Sequence, residues 1–228
     1  MAEYGVRWAN THVAGDLVHK HALDIFEEID RQRPGVIRAK RWSMDHCRLV
    51  DPADIPRMAK LGLMMSCQPG AVGDGPRRAR IYGEEVVHRF TAPIKSMMDA
   101  GVRVVFESDT RGNIWPELEL FVTRKDDDGK VWGPHERVDR ETVLKMITRW
   151  AAEYLLREDV LGSLEEGKLA DLIVLDRDYM TIPEEAIGDI RVLMNFKGGE
   201  LVFMDSSVVD ENAGLPRDGA LVGTLEEF

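Results

Sequence analysis

The chain has 228 residues, 44% hydrophobic and 31% charged, with a formal net charge of -11. This supports one sizeable globular domain, or one with a small satellite, and excludes nucleic acid and anionic membrane as natural partners. No apolar run is long enough to span a bilayer, and the start lacks a secretory apolar region.

Cys47 and Cys67 are too few for a disulfide framework and have no CxxC spacing, so a cytoplasmic location is expected. Cys67 reads as a small core residue. Cys47 follows His46, which makes a ligand role conceivable but secondary to burial.

In chain order, residues 6–11 read as a strand that leads into His12. A helix follows, with Leu17, Leu23, Phe26 and Ile29 on one face and Arg33-Pro34-Gly35 as its stop. Asp16 reads as its cap. Residues 38–45 form a second strand leading into His46. Asp51-Pro52 caps a helix ending at Gly62, and 63–67 is a third strand. Residues 70–83 carry Gly, Pro and Arg without periodicity and read as a loop long enough to be a lid. Val86, Phe90, Ile94, Met97 and Met98 predict one amphipathic helix. Residues 102–106 are the fourth strand, short and β-branched, stopping at Glu107-Ser108-Asp109. The stretch 114–122 is ambiguous, 124–137 reads as exposed, and Asp139 should cap a helix running to Leu156 with Glu141/Lys145 as an i,i+4 pair.

Four strand–helix alternations argue for parallel strands joined by right-handed crossovers. They are either half of an eight-stranded barrel or a small doubly wound sheet. After Arg157 the pattern becomes β: a strand at 170–175, then 192–196 and 200–203 as a hairpin across Lys197-Gly198-Gly199. The expected division is 1–157, 158–204 and a polar tail 205–228.

His12, His46 and Asp109 each follow a strand, where parallel α/β folds gather their chemistry. Neutral imidazoles and carboxylates hold a divalent cation that lowers the pKa of water to roughly 7. A nearby carboxylate can take the proton and pass it to a leaving amine. Each residue also has a plainer reading: a hydrogen-bonded structural histidine, or an aspartate closing an Asx-turn. His21, His88 and His135 read as solvent-facing, and so does His19, which is also a candidate substrate contact. Arg77, Arg78 and Arg80 read as a solvated loop. No GxGxxG, GxxxxGK[ST], GxSxG or HExxH is present.

His12-Val13-Ala14-Gly15-Asp16, Met44-Asp45-His46-Cys47, Ser66-Cys67-Gln68-Pro69, residues 104–109 and Leu161-Gly162-Ser163-Leu164-Glu165-Glu166-Gly167-Lys168-Leu169-Ala170-Asp171 come in an order and spacing that resemble the amidohydrolase superfamily. The resemblance is to its amidohydrolase-3 group, related to N-substituted formamide deformylases, and covers roughly residues 5–204. It implies an α/β fold, the C-terminal half of a TIM (β/α)8 barrel (strands five to eight) followed by a small β-sandwich portion. It implies His12, His46 and Asp109 as metal ligands, with Asp109 also the catalytic base. Gln68, beside the third strand end, joins His19 as a candidate substrate contact. The cofactor would be a divalent metal, first of all zinc, and the reaction hydrolysis of a carbon–nitrogen bond in a small amide-type substrate.

Three departures stand out. The paired histidines of strand one and the ligand of strand four have no counterpart, Glu107 replaces the usual Gly, and Thr110-Arg111 replaces a small residue and Pro. An open half-barrel would expose sheet edges. The expectation is therefore a C-terminal fragment that needs completion for activity, a homo-oligomer, or a chain that pairs with a separate N-terminal half. The alternative is a non-catalytic remnant or interaction module that kept the fold without the full metal site.

Overall fold

A computed structural model of the chain describes residues 2–109, 112–208 and 221–223. The expected departure at Thr110-Arg111 and most of the expected polar tail lie outside these residues.

The first strand is shorter than expected. β1 is His12–Val13 alone, although Trp8 and Thr11 already accept hydrogen bonds from Ser43 and Asp45 of the neighbouring strand. Helix α1 spans Asp16–Gln32 and buries Leu23 and Phe26, whereas Leu17 lies exposed. Asp16 is its first residue and makes no cap; Gly15 holds that position. A short α2, Val36–Ala39, occupies the start of the stretch expected as strand, and β2 is Ser43–His46. Asp51 accepts from the Ala53 amide as expected of an N-cap, and α3, Ile55–Leu61, ends at Gly62, whose φ of 69° is the left-handed value that favours glycine. β3 is Met64–Cys67.

The expected loop at 70–83 is two short helices, α4 (Gly70–Gly73) and α5 (Gly75–Tyr82). Tertiary packing overrides the poor composition here. Gly75 lies so close to Trp132 that a Cβ would sit 2.4 Å from the indole. The single helix expected at 86–98 is broken at Pro93 into α6 (Glu84–Phe90) and α7 (Ile94–Asp99). β4 is Arg103–Phe106, and the ambiguous stretch is a helix, α8, Trp115–Thr123.

Residues 124–137 are not an exposed excursion: Arg124, Asp126, Trp132 and Glu136 are all buried. Asp139 caps the next helix through the Thr142 amide, but that helix divides at Thr148 into α9 (Arg140–Ile147) and α10 (Arg149–Tyr154).

β1 to β4 form one parallel sheet in the order β1-β2-β3-β4. One face carries the apolar core: Trp42 and Met44 of the β2 region lie buried, and Trp42 stacks edge-on with Phe26 of α1 at 5.2 Å between ring centroids. The opposite face is mixed, with Ser43, Asp45, Ser66 and Arg103 set among Met64 and Val105. Tyr154 of α10 lies against it, donating its hydroxyl to Asp45 Oδ1 at 2.8 Å and accepting from Ser43 Oγ at 3.1 Å. Arg103 at the start of β4 pairs with Glu153 of the same helix and stacks over Trp150.

A second sheet joins β5 (Leu172–Leu175), β6 (Val192–Lys197), β7 (Glu200–Asp205) and β8 (Leu221–Gly223), in that order. β6 and β7 are the expected antiparallel hairpin; β8, inside the stretch expected as tail, runs parallel to β7. Tyr179, Ile187 and Ile190, on the link between β5 and β6, join the same core as the parallel sheet.

Candidate metal centre

The parallel register builds one row of side chains at the carboxyl ends of the strands. His12 is level with Asp45, His46 with Cys67, and Cys67 with Phe106. The Glu107 amide donates to the Cys67 carbonyl at 3.1 Å and continues the ladder one residue past β4. The candidates of three strands thereby share one rim.

His12 and His46 meet there. Their ring centroids are 4.1 Å apart, and His46 Nε2 faces His12 Nδ1 at 2.5 Å. His46 is buried and His12 exposed, so the pair runs from the interior to the surface. The other nitrogen of His46, Nδ1, contacts Glu107 Oε1, and Glu107 Oε2 accepts from Ser66 Oγ at 2.6 Å. Asp109 stands apart from this chain. Its Oδ2 accepts from Arg48 Nη2 at 3.1 Å and from Gln68 Nε2 at 3.4 Å. Arg48 Nε also donates to Gln68 Oε1 at 2.7 Å. His46 and Asp109 both hold a left-handed backbone, with φ of 80° and 66°. That conformation costs a non-glycine residue on the order of 1–2 kcal/mol and persists where surroundings impose it, often at functional sites.

The expected substrate contacts divide. Gln68 lies at the rim with Asp109. His19 is fully buried in α1, its Nδ1 bonded to the Gly15 carbonyl at 2.8 Å, and burial pushes its pKa below the usual histidine value. It has no surface to offer a substrate. His88 is likewise not solvent-facing: its Nδ1 accepts from the Gly133 amide and its ring packs on Trp132 at 5.1 Å. Arg78 is buried rather than solvated.

Cys47 and Cys67 are joined by a disulfide, with Cα atoms 5.2 Å apart. This corrects the expectation of two separate thiols and takes Cys47 out of any ligand role. Parallel register supplies the reason: Cys67 pairs with His46, so the residue after His46 falls beside it.

Glu107, Ser66 and Arg48 were not among the sequence-derived site residues. A carboxylate one position beyond a buried strand was the available signal for Glu107. Ser66 and Arg48 carried none.

A model of the amidohydrolase family matches residues 1–203. The chain belongs to the amidohydrolase family. It is 32% identical over 196 residues to the N-substituted formamide deformylase of Arthrobacter pascens, covering 83% of this chain and 35% of that protein. An imidazolonepropionase of Acinetobacter baumannii is 29% identical over 167 residues, 71% of this chain and 36% of its own length. Among solved structures, an uncharacterized metal-dependent hydrolase from Pyrococcus horikoshii superposes with a TM-score of 0.67 at 26% identity, over 80% of this chain and 36% of that one. Atrazine chlorohydrolase TrzN from Arthrobacter aurescens, whose structure is a complex with zinc, superposes at 0.59 with 23% identity, over 88% of this chain and 45% of that one, and shows the fold. The chain thus spans about a third of the length of the curated relatives it matches.

Two imidazoles with carboxylates nearby are the donor chemistry a borderline divalent ion takes. Their number falls short. Among the described residues, no three His, Cys, Asp or Glu side chains are grouped so as to hold an ion. His12 and His46 are two imidazoles in contact at this rim.

Proposed function

We propose that this chain is the C-terminal half of a (β/α)8-barrel hydrolase, with β1 to β4 as strands five to eight and β5 to β8 as part of a β-sandwich. The enzyme cleaves carbon–nitrogen bonds of amide type in a small molecule. His12 and His46 contribute imidazoles to a divalent metal centre, most readily zinc, and Asp109 completes the set as ligand and proton acceptor. When bound, the ion supplies Lewis acidity and activates water. Asp109 would accept the proton of the attacking water and return it to the departing nitrogen. Gln68 donates to Asp109 Oδ2, the oxygen that Arg48 also reaches, and holds the carboxylate at the rim.

The observation that carries this reading is the contact of His12 with His46 at the carboxyl ends of adjacent parallel strands. Amide-type chemistry is supported by the likeness to the formamide deformylase, and metal use by the likeness to the Pyrococcus hydrolase. Completion comes from the remaining strands of a barrel. Both β1 and β4 are edge strands, and Leu17, Val18 and Ile25 of α1 stand exposed beside β1 in sequence.

The second reading, a remnant that retains the fold without catalysis, is favoured because no three ligating side chains are grouped among the described residues. Zinc retention separates the two. The purified chain is loaded with zinc, dialysed and assayed for metal. The enzyme reading expects retention that falls to background in His12→Ala and His46→Ala. Retention below about 0.1 equivalent, or retention indifferent to both substitutions, leaves only the remnant.

A further inference from the structure

Arg78 of α5 is nine-tenths buried, yet the fold makes little use of it. Among the described residues its Nε, cut off from solvent, makes no hydrogen bond, and its one ionic contact is with Asp74 Oδ2 at 3.5 Å. Asp74 is already committed: it accepts from Arg77 Nε at 2.9 and 3.0 Å and from Arg77 Nη2 at 2.7 Å. Arg124 shows the contrast. Equally hidden, it donates to three carbonyls. A guanidinium is always charged and carries five donors, so burying one without acceptors is costly. The fold tolerates that cost at Arg78.

A second arginine stands near by. Burial, and after it the like charge of Arg48, works against the Arg78 charge, while Asp74 supports it. Asp74 is held below the usual carboxylate value by its bonds to Arg77, and the charges of Arg78 and Arg48 add to them. Arg48 is also the residue that meets Gln68 and Asp109 at the rim. The helices α4 and α5 leave that rim directly after Gln68-Pro69, at the end of β3. Asp74 thus serves two arginines and Asp109 a third, and the donors of Arg78 outnumber the acceptors that the chain supplies.

We infer that Arg78 and Arg48 form an anion subsite beside the rim, and that the ligand of this site carries a carboxylate. Two oxygens in one plane match the fork of a guanidinium, which a dry setting strengthens. Arg48, a third exposed, supplies the second positive charge on the side of Asp109. That this ligand is the substrate rests on the proposed hydrolase, and the substrate is then an amide with a free carboxylate.

Ligand-observed NMR titration of the full-length chain reads the subsite without any turnover. The probes are hippurate, an amide with a free carboxylate, hippuramide, its uncharged counterpart, and inorganic phosphate. Hippurate should bind about tenfold more tightly than hippuramide or better. Arg78→Met should weaken hippurate by about tenfold or more, and Arg48→Met by less. In urea, Arg78→Met without ligand should be as stable as wild type or more so, because no hydrogen bond of Nε is lost and a buried charge is removed. Arg78→Lys keeps the charge without the fork and should recover hippurate binding only in part. Equal affinity of the wild type for hippurate and hippuramide, hippurate binding unmoved by Arg78→Met, or phosphate bound more tightly than hippurate overturns the inference. Hippurate held through Arg78 by a chain that retains no zinc leaves the subsite standing and removes the hydrolase. Zinc retained as expected, with hippurate and hippuramide bound alike, does the opposite.

Discussion

Arg48 reaches across the rim to Asp109, its Nη2 donating to Oδ2 at 3.1 Å. The two side chains are 34% and 31% exposed, so the pair contributes about 1 kcal/mol at most to stability. On the proposed reading a link this weak would give way to a divalent ion, leaving Asp109 available without repacking. Asp109→Asn is therefore expected to leave folding within about 1 kcal/mol of wild type by urea denaturation. In the completed enzyme it should abolish hydrolysis. Unchanged turnover in that variant would remove Asp109 from the chemistry.

Removing the competitor should do the reverse. Arg48→Met is expected to bind zinc severalfold more tightly than wild type, because it frees Asp109 and withdraws a positive charge from the rim. Chelator competition reads this directly, and weaker binding would mean that Arg48 supports the site rather than occupying its carboxylate.

What could be read in advance was local. β3 and β4 match their expected spans closely because each short apolar run starts just after a glycine, Gly62 or Gly101, and Asp51 and Asp139 cap as expected because capping involves residues two or three apart. What escaped depends on distant partners. Residues 75–82 become helical against Trp132, some fifty positions away. Arg124 is buried because its guanidinium satisfies carbonyls on a segment thirty residues earlier. At the site, the positions of His12 and His46 followed from strands ending in histidine. The hydrogen-bonded chain through Glu107 to Ser66 followed only from the register that puts β3 beside β4.

His19 makes a prediction about pH. Burial holds its pKa below the usual 6.5, so the native state resists a proton that the unfolded chain accepts. Its contribution to stability is full above pH 6.5 and is lost as pH falls from there toward the lowered native value. The native carboxylates held low by arginine, such as Asp74 and Glu27, lose their contributions only below their ordinary values of 3.8 and 4.5. Melting temperature should thus decline as pH falls below about 6.5, and His19→Gln should flatten that segment of the profile. A slope identical in both proteins would show that another group is responsible.

Arg124 is fully buried, and its guanidinium donates to the carbonyls of Trp132, Ala92 and Thr91 at 2.6, 3.0 and 2.9 Å. Burial lowers its pKa to about 10, still protonated at neutral pH. Three carbonyls from two segments share one planar fork that no other side chain reproduces. Arg124→Met should cost about 3 kcal/mol or more by leaving those carbonyls unpaired, and Arg124→Lys should recover only part of it. Full recovery by lysine in urea denaturation would show that charge alone, without the fork, holds the segment.

The disulfide closes a sequence separation of 20 between β2 and β3, next to His46. Cross-linking a loop of that size stabilises by about 3 kcal/mol through the entropy it removes from the unfolded chain. Protein isolated without reductant is expected to show no reactive thiol in denaturant. Reductant, or the double substitution of Cys47 and Cys67 by Ala, should lower stability by about that amount. Bonds of this kind persist in oxidising compartments and are uncommon in a reducing cytoplasm, so thiol trapping in freshly lysed cells also tests the cytoplasmic location expected from the cysteine count. Two trapped thiols, together with no loss of stability on reduction, would mean that Cys47 and Cys67 pack side by side as thiols and that the row from His12 to Glu107 needs no covalent tie.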